Sequence, residues 1–251
     1  MNKYLKNLNR IEFVITDACT GKCKHCSQGS HTSNEHIDTE KAVKAVYDIC
    51  NNFKIKSLMT FGGEPLLYPE TVCQIHSAAK DMNIEHRDLI TNGYFSKNID
   101  KIQKVAQMLA KSGVNNVCLS VDAFHQETIP LDYVTEFAKA VLKTGIPIHT
   151  HPAWLVNKDD NNPYNIETKK ILEKFSNINI EQSDGNIIFP SGNALKYLGK
   201  YFNNTKVFNP YFENPKDMKA ISFSANGNVL DGNIYSNSVL EIIENYNGYN
   251  I

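Results

Sequence analysis

From residue 11 to residue 182 the chain alternates short β-branched and apolar runs with longer stretches whose apolar residues recur at helical spacing. Residues 11–16, 56–61, 85–91, 116–122 and 146–151 read as strands, and a sixth strand is expected within 177–182. Between them, residues 39–53, 69–82, 99–111, 132–143 and 166–175 read as helices. In the first helix Ala42, Val43, Val46, Ile49 and Cys50 share a face behind an N-cap at Asp38 or Thr39. Pro69 in the first turn and Glu70 beside the positive end of the dipole mark the start of the second. Strands and helices joined this closely require parallel strands with right-handed crossovers. The fold class is therefore α/β, and six such units fit a partial barrel or an open doubly wound sheet. In both, the working loops lie at the C-terminal ends of the strands.

The pattern changes after Ser191-Gly192. A helix is expected over 193–202, then Asn- and Pro-rich irregular chain to about residue 218. Runs at 221–224 and 229–230 flank Ala225-Asn226-Gly227-Asn228, a hairpin signal, and a final helix is expected over 238–246. This divides the chain into a core, 1–190, and a hairpin-plus-helix extension, 191–251.

At 251 residues the chain can bury one large α/β core. Its formal net charge of −1 gives no footprint for a nucleic-acid backbone or an anionic membrane surface. No apolar run is long enough to span a bilayer, and charges interleave the first eight residues, unlike a signal peptide. The expected location is the cytoplasm, where clustered cysteines bind metal more often than they pair.

Three of the six cysteines, Cys19, Cys23 and Cys26, fall within eight residues directly after the first strand. Three thiolates around one centre leave a coordination position open, whereas a purely structural site closes with a fourth ligand. Taken alone, this loop also suits a structural zinc with His25 or His31 as the fourth ligand. The other strand ends weigh against zinc. Gly62-Gly63-Glu64-Pro65 follows the second strand, Thr91-Asn92-Gly93 closes the third and Ser120-Val121-Asp122 closes the fourth. Those ends share one rim of the sheet, and a structural zinc site predicts none of them.

The cysteine stretch resembles the C-x3-C-x-aromatic-C signature of radical S-adenosylmethionine enzymes, with His25 in the aromatic place. The resemblance covers roughly the first two-thirds of the chain. It implies a partial (β/α)6 barrel of the open, TIM-like kind. It also implies a [4Fe–4S] cluster on Cys19, Cys23 and Cys26 whose remaining iron is chelated by the amino and carboxylate groups of S-adenosylmethionine. The family pattern assigns Gly62, Gly63 and Glu64 to the methionine amino group, and Thr91, Asn92, Ser120 and Asp122 to the ribose or carboxylate. Local chemistry agrees: glycines admit a ligand close to the backbone, Pro65 fixes the exit of the chain, and an ammonium needs oxygen acceptors. Reduction by a low-potential donor such as flavodoxin or ferredoxin would release a 5′-deoxyadenosyl radical to act on a peptide or small polar substrate. The tail resembles the extension of peptide-modifying relatives, but no cysteine follows Cys118, so a single cluster is expected. An activase that installs a radical on a partner protein, and a non-enzymatic zinc or electron-transfer protein, are the competing readings.

Strand parity adds candidates. If Ser120 and Asp122 face the barrel interior, Cys118 does too. On the fifth strand Ile146, Ile148 and Thr150 share the face that should pack on helices, which aims His149 and His151 inward. One of these histidines is expected to touch substrate or cofactor, with Cys118 on the floor; the competing reading is a pair of core histidines. Cys50 and Cys73 lie on apolar helical faces and read as core. Trp154 reads equally as packing or stacking. The segment Phe189-Pro190-Ser191-Gly192-Asn193 reads as a capped helix start rather than an anion site.

Overall fold

A computed structural model describes residues 2–29, 33–202, 209 and 212–248. His31, named above as a zinc candidate, lies outside the described residues. The elements run β1 (Arg10–Val14), α1 (Thr39–Cys50), β2 (Ser57–Phe61), α2 (Pro69–Asp81), β3 (His86–Thr91), α3 (Ile99–Ser112), β4 (Asn116–Leu119), α4 (Ala123–Gln126) and α5 (Leu131–Thr144). They continue with β5 (Ile148–Thr150), β6 (Ala153–Trp154), α6 (Pro163–Ser176), β7 (Glu181–Gln182), β8 (Asn186–Ile187) and α7 (Gly192–Leu198). The chain ends in β9 (Ala220–Phe223), β10 (Asn228–Val229), β11 (Gly232–Asn233) and α8 (Val239–Asn245). Short 3-10 turns cover Pro65–Leu67 and Gly199–Tyr201.

Seven strands form one parallel sheet in the order β7-β5-β4-β3-β2-β1-β9. The fold is that of an open, TIM-like partial barrel. One face of the sheet is apolar: Ile11, Phe13, Leu58, Leu89, Val117 and Leu119 are buried in a core shared with the helices. On the opposite face the register aligns Glu12 with Met59, Met59 with Asp88, Asp88 with Asn116, and Cys118 with both Ile90 and His149. The period of two that separates these faces is the one the sequence carries.

Helix ends follow local chemistry. Asp38 caps α1 by accepting from Lys41 N at 2.9 Å, and Asn98 caps α3 by accepting from Lys101 N at 3.0 Å. Gly113 closes α3 in the left-handed conformation, φ 93°. Among the described residues no helix is long and apolar enough to cross a membrane.

The tail departs from expectation. The run at 221–224 does not pair with 229–230. It becomes β9, which adds in parallel to the outer edge of β1, where Phe223 stacks on Phe13 with ring centroids 4.6 Å apart. Ile221 and Phe223 are fully buried there, which a two-stranded hairpin in water could not achieve. The turn itself exists, with Ser224 N donating to Asn228 O at 2.8 Å. The hairpin lies one step later, between β10 and β11. Two further strand readings run long: β4 ends at Leu119 and β5 spans Ile148–Thr150. The backbone after Leu119 turns away to start α4, which Asp122 caps.

Candidate active site

The cysteine loop leaves β1 and is gripped from three sides. Gly63 N donates to Thr16 O at 2.7 Å and Glu64 N to Ala18 O at 2.8 Å, so the end of β2 is pressed against the root of the loop. A Cβ on Gly63 would lie 2.1 Å from Ala18 O, and one on Gly62, whose φ is 149°, 2.6 Å from Thr16 O. Glycine is required here by close backbone approach. From the start of α7, Asn193 N donates to Cys26 O at 2.9 Å, and its Nδ2 reaches Cys23 O and Gly29 O, both at 3.2 Å. On the third side Lys22 N donates to the Thr128 hydroxyl at 3.0 Å.

None of the six cysteines is paired in a disulfide. Burial pushes Cys19 up to about 11 and Cys23 still further, and each is raised again by the neighbouring cysteines. Deprotonating such a set becomes favourable when a cationic centre takes up the charge. The donor set suits a cluster more than one zinc ion. Sulfurs on a single tetrahedral zinc sit about 3.8 Å apart. Among the described residues, the group of three such ligand atoms within 4.8 Å of one another is that of His25, Asp122 and His125, not the thiols. Three cysteine sulfurs not all within 4.8 Å of one another are too open for one tetrahedral zinc as they stand, and three cysteines on one short loop are a donor set that a [4Fe–4S] cluster takes.

The His25, Asp122 and His125 group has its own explanation. Asp122 Oδ1 accepts from Phe124 N at 2.9 Å and His125 N at 3.0 Å; Oδ2 meets His125 Nδ1 at 2.8 Å and Ala153 N at 3.0 Å. Burial alone would raise Asp122, but the adjoining imidazole and these donors hold it well below the usual carboxylate range. Burial works to lower His125, and Asp122 outweighs it and raises that imidazole. His25 lies against the rings of Phe124 and His125, with centroids at 5.0 and 4.7 Å, and burial lowers it to about 4. Both carboxylate oxygens of Asp122 are thus engaged by protein groups at the start of α4.

Glu64 is also enclosed. Its carboxylate accepts from Leu66 N at 2.9 Å, the Thr91 hydroxyl at 2.7 Å and Asn92 N at 2.8 Å, and burial raises it to about 7. Thr91 accepts in turn from Gly93 N at 2.9 Å. The side chains of Glu64 and Thr91 therefore tie the second and third strand ends together. Pro65 begins the 3-10 turn that follows. The carbonyls of Gly62 and Gly63 accept no hydrogen bond among the described residues, and the half-buried Ser120 hydroxyl makes none.

Below this rim, Cys118 and His149 face each other across β4 and β5 on the polar face, as strand parity predicts. Asn116 Nδ2 donates to Asp88 Oδ1 at 2.8 Å and stands 3.8 Å from Cys118 Sγ; burial pushes that thiol up to about 12. Arg10 pairs with Glu12 at 2.7 Å on the same face. The two histidines differ. His151 is held through Nδ1 by the Ser183 hydroxyl at 2.9 Å and through Nε2 by Asn186 Nδ2 at 2.8 Å. The His149 imidazole makes no hydrogen bond among the described residues, and its ring centroid is 6.4 Å from that of His151. Trp154 is a packing residue, 1% exposed, with Nε1 on Asp184 O at 2.8 Å.

The grips of Asn193 and Thr128 on the cysteine loop have no sequence signature, because both act on backbone atoms more than a hundred residues away. The segment at 189–193 shows only a helix start.

The family model described as the Radical SAM superfamily matches residues 13–160. Among curated proteins, the chain is 29% identical over 127 residues to a probable GTP 3′,8-cyclase of Methanocaldococcus jannaschii, covering 50% of this chain and 40% of that protein. It is 24% identical over 243 residues to the GTP 3′,8-cyclase of Petrotoga mobilis, covering 90% of this chain and 70% of that one. Among solved structures, Streptococcus suis SuiB bound to its precursor peptide SuiA aligns over 96% of this chain and 65% of its own, with TM-score 0.64 and 15% identity. Native anSMEcpe with bound AdoMet aligns over 96% and 81%, with TM-score 0.60 and 16% identity.

Proposed function

The chain belongs to the radical S-adenosylmethionine superfamily, and from that premise we propose that Cys19, Cys23 and Cys26 hold its single [4Fe–4S] cluster. The substrate is a small polar molecule or a polar peptide side chain resting on the inner face of the sheet. The protein is an enzyme whose cofactors are a [4Fe–4S] cluster and S-adenosylmethionine. When bound, these supply a 5′-deoxyadenosyl radical that abstracts a hydrogen atom.

The residues divide the work by what they leave uncommitted. The open carbonyls of Gly62 and Gly63 receive the methionine ammonium, and the open Ser120 hydroxyl meets the ribose or carboxylate. Glu64, Thr91 and Asp122 hold the strand ends that present those groups. Deeper in the sheet, His149 and Cys118 contact the substrate, while His151 orients that wall through Ser183 and Asn186. A low-potential flavodoxin or ferredoxin supplies the electron.

The observation that carries this reading is the grouping of these residues on one sheet. Three cysteines and two unclaimed carbonyls lie at the C-terminal rim of a parallel sheet, and the polar face of that same sheet carries the unbonded His149 imidazole in register with the buried Cys118. The curated relatives are named for GTP, a small polar molecule, and one solved neighbour holds a precursor peptide; both classes fit a face lined by Asp88, Asn116 and His149.

The test is anaerobic reconstitution with iron and sulfide, followed by reduction in the presence of S-adenosylmethionine. A brown protein that yields 5′-deoxyadenosine and methionine supports the proposal, provided that replacing Cys19, Cys23 and Cys26 by Ala abolishes both colour and products. A colourless zinc protein overturns it. Unchanged product formation and S-adenosylmethionine affinity in both His149→Ala and Cys118→Ala removes the substrate roles and leaves the cluster assignment standing.

A further inference from the structure

Asn92 closes β3 and reaches across to the cysteine loop. Its backbone N–H is fixed by Glu64, and its Oδ1 accepts from Tyr94 N at 2.8 Å. That second bond settles which way the amide lies, because a flipped side chain would set Nδ2 against another N–H donor. Nδ2 therefore points at the loop, 3.2 Å from the Thr20 hydroxyl and 3.6 Å from Cys19 Sγ. Cys19 Sγ also accepts from Gly21 N at 3.4 Å. The side-chain bond reaches it from an element 73 residues away.

Hydrogen bonds to a ligating sulfur draw electron density from it and favour the reduced, more negative state of the metal centre. We propose that Asn92 is a positioning residue that sets the reduction potential of the cluster through Cys19, rather than a contact to the ribose or carboxylate of S-adenosylmethionine. The proposal rests on the reading that Cys19 is a cluster ligand. It gives the Thr91-Asn92-Gly93 motif a task toward the cluster and joins three motifs in one chain of bonds. Glu64 holds the Asn92 backbone, Asn92 holds Cys19, and Glu64 N holds Ala18 at the root of the same loop.

The experiment is a redox titration of the reconstituted full-length protein without S-adenosylmethionine, followed by electron paramagnetic resonance. Asn92→Ala removes the donor; Asn92→Asp keeps the shape and the acceptor for Tyr94 while removing the donor and adding charge. At a fixed solution potential, the ratio of reduced to oxidised cluster should fall about fivefold in Asn92→Ala. At 59 mV per tenfold for a one-electron couple, that is a shift of about 40 mV to more negative potential. Asn92→Asp should shift further in the same direction. Unchanged potentials in variants that assemble the cluster overturn the proposal. So does failure of both variants to assemble it, since Asn92 would then be needed to build the loop and not to tune it. A full cluster in Cys19→Ala instead overturns the ligand assignment beneath it, so the two failures are distinguishable.

Discussion

The buried carboxylate of Glu64 accepts the backbone N–H of Asn92 at 2.8 Å, locking the end of the second strand to the end of the third. Two other donors, Leu66 N and the Thr91 hydroxyl, converge on the same side chain, which has no exposed surface. Removing the acceptor strands three buried donors, while removing the Thr91 hydroxyl strands only Gly93 N and one carboxylate contact. Leaving a buried donor unmade costs about 1–3 kcal/mol. Glu64→Ala should therefore destabilise the protein by about 4 kcal/mol and Thr91→Val by about 2 kcal/mol. Urea denaturation under anaerobic conditions measures both, and equal losses would show that Glu64 is not the hub.

Gly63 and Gly145 make a matched pair. A Cβ at Gly63 would meet Ala18 O at 2.1 Å, whereas at Gly145, with φ 80°, nothing lies within 4 Å. Gly145→Ala meets only backbone strain and should cost about 1 kcal/mol. Gly63→Ala must push the cysteine loop off its root, costing about 3 kcal/mol and lowering the iron bound per chain. The paired readouts are thermal unfolding and iron content. Full iron loading in Gly63→Ala would mean that the loop does not depend on this contact.

Much of this arrangement could be read from residue order. The alternation of strand and helix requires parallel strands, and a period of two placed Cys118 and His149 on one face without reference to any neighbour. Residues that act through backbone or across the sheet were hidden. Nothing near Asn193 marks it as a partner of Cys23, and nothing near Ile221 and Phe223 tells a hairpin strand from an edge strand. That choice turns on Phe13, a partner more than two hundred residues away. Glu64 and Asp122 stand out in the sequence through the family pattern, as cofactor contacts, while the bonds their carboxylates accept from the protein's own N–H groups have no local signature. A motif shows that a residue is constrained before it shows which partner constrains it.

His76 supplies a pH prediction. It lies in α2 with no exposed surface, its Nε2 2.9 Å from the Thr60 hydroxyl and its Nδ1 buried without a partner. Burial, with Arg87 adding to it, lowers the imidazole to about 3. The unfolded chain then binds a proton below about pH 6.5 that the folded chain refuses. Stability is therefore full above that pH and declines as pH falls towards the folded value, by roughly 2 kcal/mol at pH 5. His76→Gln, which cannot titrate, should show a smaller drop between pH 7 and pH 5 than the wild type by that amount. Parallel urea curves at the two pH values give the difference, and identical slopes in both proteins would rule the histidine out.

The side chain of Asn193 holds two carbonyls of the cysteine loop, Cys23 O and Gly29 O, from the start of α7. These bonds fix backbone on both sides of Cys26, so they hold the loop against opening without touching a sulfur. Asn193→Ala keeps the backbone bond from Asn193 N to Cys26 O and loses the other two. Two such bonds contribute about 1–2 kcal/mol, a factor of roughly 5–30 in the population of an opened loop. Reconstituted Asn193→Ala should thus lose iron to a chelator faster by about that factor. Lys196→Ala, an exposed position on the same helix, should match the wild type. The rate is read from the decay of the cluster's visible absorbance under excess chelator. If Asn193→Ala and Lys196→Ala bleach at the same rate, the grip from α7 does not govern access to the centre. A faster rate with unchanged global stability would locate the effect in the cysteine loop, which the side chain of Asn193 joins to the start of α7.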